Sequence, residues 1–196
     1  MRRLLPVLLG LLLLDWGGAP LKAAPPGTFR GLLILPREQV GDFALIDQHG
    51  RPFRLRDQRG YVVVLAFGYT YCADLCPLTL GTLKRTRRAL ASDGRRVRFG
   101  FVTVDPQRDT PARLKTYLAA FHTDFLGLSG PAAERVRVYR TFGVVPEHYT
   151  LDAHRSVVNH PTAIYIIDTA GYLRLSYNWG GPAEDIAQDI RRLFAE

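Results

Sequence analysis

The chemistry in this sequence is concentrated in two cysteines. Cys72 and Cys76 are the only ones in 196 residues, and they lie four apart in Cys72-Ala73-Asp74-Leu75-Cys76-Pro77. Thiols at that spacing can face the same side of one helical turn. They can close a disulfide or hold a metal between two sulfurs. A general dithiol oxidant has two residues between its cysteines, and here there are three. The longer separation favours a metal clip. A structural disulfide is the plain alternative, but a staple between near neighbours closes a very small loop and constrains the unfolded chain little.

The elements around the cysteines must position them. Tyr61-Val62-Val63-Val64-Leu65-Ala66-Phe67 is a continuous apolar run rich in β-branched residues, so it predicts a strand buried on both faces. It ends at Gly68, just before the cysteines. Pro77 to Ser92 is helix-like, with Leu78, Leu83 and Leu90 on one side and Lys84, Arg85, Arg87 and Arg88 as a basic set. Asp93-Gly94 breaks it. Reactive groups collect where such a strand ends, and the N-terminus of the following helix favours thiolate over thiol. Upstream, Asp42 to Asp47 and Pro52 to Leu55 form a hairpin about Gln48-His49-Gly50. Downstream come a strand from Val97 to Val104, a helix from Pro111 to Phe121 capped by Thr110, and a helix from Pro131 to Phe142. A long loop runs from Gly143 to Pro161. Strands from Thr162 to Asp168 and Tyr172 to Tyr177 then precede an amphipathic helix from Pro182 to Phe194. This order predicts an α/β fold: a thioredoxin-like mixed sheet flanked by helices, with an added N-terminal β-hairpin.

Two sulfurs rarely complete a metal site, so a third donor is needed. The histidines are His49, His122, His148, His154 and His160. His160 stands out because Asn159-His160-Pro161-Thr162 leads directly into a predicted strand. In thioredoxin-like domains a proline at this point, commonly cis, packs against the active-site cysteines and brings the preceding residue close to them; that is an argument by fold analogy. His49 and His122 read as loop or core residues, and His148 and His154 remain reserve donors. Two thiolates and one imidazole make a soft, open set. Thiolates favour Cu(I), and the imidazole admits Cu(II) or zinc. No glutamate or histidine stands nearby in a pattern that would activate a zinc-bound water. A metal held by few ligands can be passed on by exchanging thiolates one at a time, as a carrier requires.

Composition sets the wider limits. Apolar residues are 47% and charged residues 22% of the chain, which excludes a multi-span membrane protein and a mainly disordered one. The formal charge is +8, almost wholly from arginine. Such a charge suits acidic partner surfaces or anionic lipid heads. The Arg-rich runs lack interleaved aromatic residues for stacking bases, so no nucleic-acid partner is expected. Met1 is the only methionine, which excludes a methionine-lined copper transporter. Arg2 and Arg3, the apolar run from Leu4 to Leu14 and small residues up to Ala24 have the layout of an export signal. The run is short of the ~20 residues that span a bilayer. Residues 1–24 therefore read as an export signal or membrane anchor, 25–40 as a Pro/Gly-rich tether, and 41–196 as one domain. The expected location is the periplasmic side of the cytoplasmic membrane, either cleaved and soluble or held by the N-terminus.

Three segments together resemble a known family. Phe67-Gly68-Tyr69-Thr70-Tyr71-Cys72-Ala73-Asp74-Leu75-Cys76-Pro77-Leu78-Thr79-Leu80 is similar to the cysteine loop of the Sco/SenC copper chaperones. Val102-Thr103-Val104-Asp105-Pro106-Gln107-Arg108-Asp109-Thr110-Pro111 is similar to their second signature, and His160 stands before Ala163 to Asp168 where they keep a metal histidine. The resemblance covers about Gly41 to Phe194. It implies copper ligands at Cys72, Cys76 and His160, with Asp105 as an acid beside the site; the alternative for Asp105 is a turn residue at the strand exit. It implies delivery of copper to the binuclear copper (CuA) site of cytochrome c oxidase, with subunit II or another periplasmic copper protein as partner. The alternative is a thiol–disulfide reductase that keeps the oxidase copper-site cysteines reduced and depends on a thiol reductant protein. Whether the chain is an enzyme stays open between the two. A peroxiredoxin-like peroxidase is disfavoured, because no threonine stands three residues before either cysteine.

Overall fold

The computed structural model describes residues 28–152 and 156–196. The elements are β1 (Leu32–Gln39), β2 (Ala44–Ile46), β3 (Pro52–Arg54), β4 (Val62–Gly68), α1 (Leu75–Ala89), β5 (Val97–Thr103), α2 (Pro111–Ala119), β6 (Leu126–Leu128) and α3 (Ala132–Thr141). They continue as β7 (Glu147–Thr150), β8 (Ser156–Asn159), β9 (Ile164–Ile167), β10 (Tyr172–Tyr177) and α4 (Ala183–Leu193). The main sheet has the order β1-β10-β9-β4-β5-β6. β4 runs parallel to β5 and antiparallel to β9, so the sheet is mixed.

Every residue of β4 is buried. A strand covered on both faces has no solvent side to carry polar residues, which is why its sequence is apolar without alternation. The β4–β5 ladder stays in phase from Val62 opposite Val97 to Gly68 opposite Thr103. Their carboxyl ends therefore lie side by side, and both signature loops leave the sheet there. α1 packs against α4, whose Ile186, Ala187, Ile190 and Leu193 form a buried helical stripe. α2 lies directly on β6: a Cβ at Gly127 would come within 2.9 Å of Leu114 and Leu118. Its cap is as expected, with Thr110 Oγ1 accepting the Arg113 N–H at 3.2 Å.

The N-terminal hairpin is the pair β2–β3, from Ala44 opposite Arg54 to Ile46 opposite Pro52. Asp47 closes its turn by accepting the N–H groups of His49 and Arg51 at 2.8 and 2.9 Å. Gly50 takes φ +77°, a conformation that favours glycine.

Three expectations need correction. The segment 25–40 is not a tether throughout, because β1 occupies Leu32–Gln39 and pairs with β10. The pairing slips between Leu33 and Glu38, around Pro36, which has no N–H to give a ladder. That slip and the proline hide the strand from a search for alternation. The loop from Gly143 to Pro161 contains the hairpin β7–β8, from Glu147 opposite Asn159 to Thr150 opposite Ser156. β7 is exposed along its whole length, so no buried face marks it in the sequence. The first helix begins at Leu75, so Cys76 lies inside it and Cys72 before it. The leader 1–24 lies outside the described residues. Among the described residues no helix is long and apolar enough to cross a membrane.

Candidate metal centre

The site forms where β4 ends and α1 begins. Cys72 is partly buried and Cys76 buried, and both are free thiols. The Asp74 side chain makes no cap bond at the start of α1. Instead the Cys72 sulfur accepts the Cys76 N–H at 3.4 Å, taking up one of the unpaired donors that open a helix. The positive end of the helix dipole therefore points at Cys72.

The two thiols are made unequal by this arrangement. The thiol hydrogen bond from Cys76 is the largest influence on Cys72; a bond from His160 and the N–H groups of Asp74 and Cys76 add to it, against the effect of burial. Together they hold Cys72 far below the ordinary thiol value, at about 4. Cys76 is pushed up by the same bond and by its burial. The bond thus draws negative charge to Cys72 and the shared proton to Cys76.

Gly68 sets the depth of Cys76. A Cβ there would meet the Phe101 ring at 2.6 Å and the Cys76 sulfur at 2.8 Å. Only glycine leaves room for the buried sulfur at this point. In the sequence Gly68 reads only as the end of a strand; the sulfur that demands glycine there lies eight residues on.

His160 closes the other side. Its Nε2 is 3.8 Å from Cys76 Sγ, and its ring stands edge-on to Tyr69 with centroids 6.0 Å apart. Nδ1 lies 2.9 Å from the Pro161 carbonyl oxygen. A carbonyl only accepts, so Nδ1 donates to it, and Nε2 is the ring nitrogen that faces the sulfur. Metal-binding histidines are oriented by the same kind of bond. The His160–Pro161 bond is trans; the only cis bond among the described residues is Leu35–Pro36.

Bond lengths of about 2.3 Å to sulfur and about 2.0–2.1 Å to imidazole, as for zinc, place two donors of one ion roughly 3.5–3.8 Å apart. The Cys76–His160 spacing therefore fits two donors sharing an ion. Among the described residues no three His, Cys, Asp or Glu side chains stand close enough together to hold an ion as they are placed.

The other candidates are placed differently. His148 lies on β7 and lines a cavity with Asp105. His154 lies outside the described residues. His49 is in the β2–β3 turn, and His122 follows α2, where its Nδ1 accepts the Asp124 N–H at 3.1 Å. Asp105 is 3% exposed and its carboxylate pairs with Arg108. Its carbonyl oxygen also accepts the N–H groups of Arg108 and Asp109, so it is a turn residue as well. The guanidinium of Arg108 lies 4.8 Å from the Tyr71 ring and 5.7 Å from Tyr69. Asp105 thus faces the cysteine loop through Arg108.

The SCO1/SenC family description matches residues 34–195. This chain belongs to that family. It is 37% identical over 158 residues to the mitochondrial SCO2 homolog of Bos taurus, which covers 79% of this chain and 59% of that relative. The chain thus spans about three-fifths of that relative's length. Its fold superposes on ScoI of Bradyrhizobium japonicum with copper bound at a TM-score of 0.74 and 33% identity, over 80% of this chain and 99% of that one. Apo Sco1 of Thermus thermophilus gives 0.75 and 36%, over 85% and 97%. The fold is the thioredoxin-like one these proteins share. The family's members handle copper and take part in cytochrome c oxidase assembly.

Proposed function

We propose that this chain is a copper carrier that loads the binuclear copper site of cytochrome c oxidase. The observation that carries this reading is the His160 imidazole Nε2 lying 3.8 Å from the sulfur of a buried, reduced cysteine. Cys72, Cys76 and His160 are the ligands. Two sulfurs favour Cu(I), and the imidazole admits Cu(II). The copper seen in the Bradyrhizobium japonicum relative supports the choice of metal. Asp105 acts from behind, by holding Arg108 under the aromatic rings of the loop. The partner is subunit II of the oxidase or another periplasmic copper protein. The working place is the periplasmic side of the cytoplasmic membrane, reached through the leader 1–24.

Half-buried Cys72 is the exit point. An incoming thiolate attacks the metal on that side, Cys72 leaves as the weaker-held donor, and Cys76 and His160 follow. The test mixes the copper-loaded chain with metal-free subunit II domain and follows the absorption of the binuclear site. Copper must appear in the acceptor and disappear from the chain. An acceptor that stays empty while the chain keeps its copper overturns delivery.

The inequality of the two thiols favours a second reading, as a thiol–disulfide reductase. The Cys72 thiolate attacks one sulfur of a partner disulfide, and the other partner sulfur leaves as thiolate. Cys76 then loses its proton and attacks the Cys72 sulfur, releasing the second partner thiol. The partner gains two electrons and the chain ends as a Cys72–Cys76 disulfide, to be reset by a thiol reductant protein. Under this reading His160→Ala reduces an oxidised subunit II domain as well as the native chain does; a large loss of rate in that variant contradicts it.

A further inference from the structure

The acid beneath the cysteine loop is Asp109, four residues after Asp105. It is 1% exposed, and each of its carboxylate oxygens is occupied. The Thr70 N–H donates to both, at 3.1 and 3.2 Å. The Thr70 hydroxyl donates to Oδ1 at 2.6 Å, and the Thr103 hydroxyl to Oδ2 at 2.6 Å. A buried charge is tolerated when it collects donors in this way. Burial still pushes its pKa up, against those bonds.

We propose that Asp109 is the positioning residue of the cysteine loop, fixing Cys72 through Thr70. The chain of contacts runs outward from the carboxylate. Because the Thr70 hydroxyl gives its proton to Asp109, its lone pairs are free to accept Arg113 Nε, at 2.6 Å. The Arg113 guanidinium covers the Tyr71 ring at 3.8 Å. The Cys72 N–H returns to the Tyr69 carbonyl oxygen at 3.2 Å, closing the turn. Residues 69 to 72 are thus held from beneath by Asp109 and from outside by Arg113. The sheet does not need this clamp: the β4–β5 pairing ends at Gly68 and Thr103, with one further bond from the Val104 N–H to the Gly68 carbonyl oxygen at 2.8 Å. What the clamp holds is the loop beyond the ladder. Cys72 is also a donor of the proposed copper site, so a held loop keeps its sulfur at the start of α1, beside Cys76. That last step rests on the copper reading; the clamp itself does not.

The test uses the full chain, reduced and metal-free, in mild detergent. Brief iodoacetamide treatment is followed by mass spectrometry of the two cysteine positions, with unfolding temperatures measured in parallel. The native chain labels Cys72 ahead of Cys76. In Asp109→Ala and in Thr70→Val this preference falls on the order of tenfold at temperatures well below unfolding, because the loop opens locally. Asp109→Asn keeps an acceptor for the Thr70 N–H and retains most of the preference. A purely structural role lowers the unfolding temperature and leaves the preference unchanged. The proposal is overturned if Thr70→Val and Asp109→Asn both label within about twofold of the native ratio while Asp109→Ala does the same or fails to fold. It is also overturned if the native chain labels both cysteines equally. The labelling contains no copper, so its outcome is separate from success or failure of the carrier reading.

Discussion

The imidazole of His160 and the thiol of Cys76 meet at 3.8 Å although 84 positions separate them in the chain. β4 and β9 bring them together. They are antiparallel neighbours, so the end of β4 and the start of β9 lie at the same edge of the sheet. Cys76 follows the first and His160 precedes the second. The pairing of two central strands, buried and in register from Val63 opposite Ile167 to Ala66 opposite Ile164, therefore fixes the separation of two donors.

The unequal thiols predict a pH dependence. The Cys76 thiol bond holds Cys72 at about 4, down from 9.0. An acid depressed on folding stabilises the fold fully above its unfolded value and loses that contribution as pH falls through its folded value. Cys72 therefore adds stability above pH 9, progressively less between 9 and about 4, and none below. Cys76, pushed up, stays protonated through that window. Denaturant unfolding across the window is expected to show a slope that Cys72→Ser removes. Equal slopes in both chains contradict the assignment. Cys76→Ala removes the main cause, so its Cys72 alkylation midpoint is expected to rise toward the ordinary thiol value.

Gly68→Ala tests the seat of Cys76. The added methyl has to displace either the Phe101 ring or the Cys76 sulfur. Overpacking of this kind costs about 1–3 kcal/mol. The expected result is a folded but less stable chain whose copper affinity drops more than its stability does. An unchanged affinity places the sulfur elsewhere.

Asp189 anchors the N-terminal strand. It is fully buried on α4, and its Oδ2 accepts the N–H groups of Arg30 and Gly31 at 2.8 and 2.9 Å and the Tyr177 hydroxyl at 2.5 Å. Bonds to a charged acceptor are worth about 1.5–3 kcal/mol each at most, and of the three donors that lose their partner when it is removed the Tyr177 hydroxyl is buried. Asp189→Ala is expected to lose about 3 kcal/mol and to speed amide exchange at Leu32 and Leu33 ahead of β4. Exchange that rises equally across the sheet contradicts an anchoring role.

What was legible in the sequence follows from how each element is buried. β4 and β5 are apolar because both faces are covered, and Thr110 before Pro111 is a local cap that needs no tertiary partner. Residue type, spacing and fold analogy single out the cysteine pair and His160 in the sequence, and the structure places His160 beside Cys76. β1 and β7–β8 were not found, since a slipped edge strand containing Pro36 and an exposed hairpin leave no periodic signal. Asp105 and Asp109 occupy one short motif, both are buried, and nothing in their spacing says which one takes the Thr70 N–H of the cysteine loop. The hydroxyls of Thr70 and Thr103 decide that, and Thr70 is 39 residues away. Gly68 carries the same lesson, because the atoms that exclude a side chain belong to other elements.

The central claim is that Cys72, Cys76 and His160 bind one copper together. A Cu(I) competition titration of the reduced chain against a chromophoric chelator tests it most directly, beside Cys76→Ser and His160→Ala. The account predicts one copper per native chain, loss of binding in the serine variant, and clearly weaker binding in the alanine variant. A native chain that yields its copper to the chelator as readily as Cys76→Ser does, or an alanine variant that binds as tightly as the native chain, contradicts it.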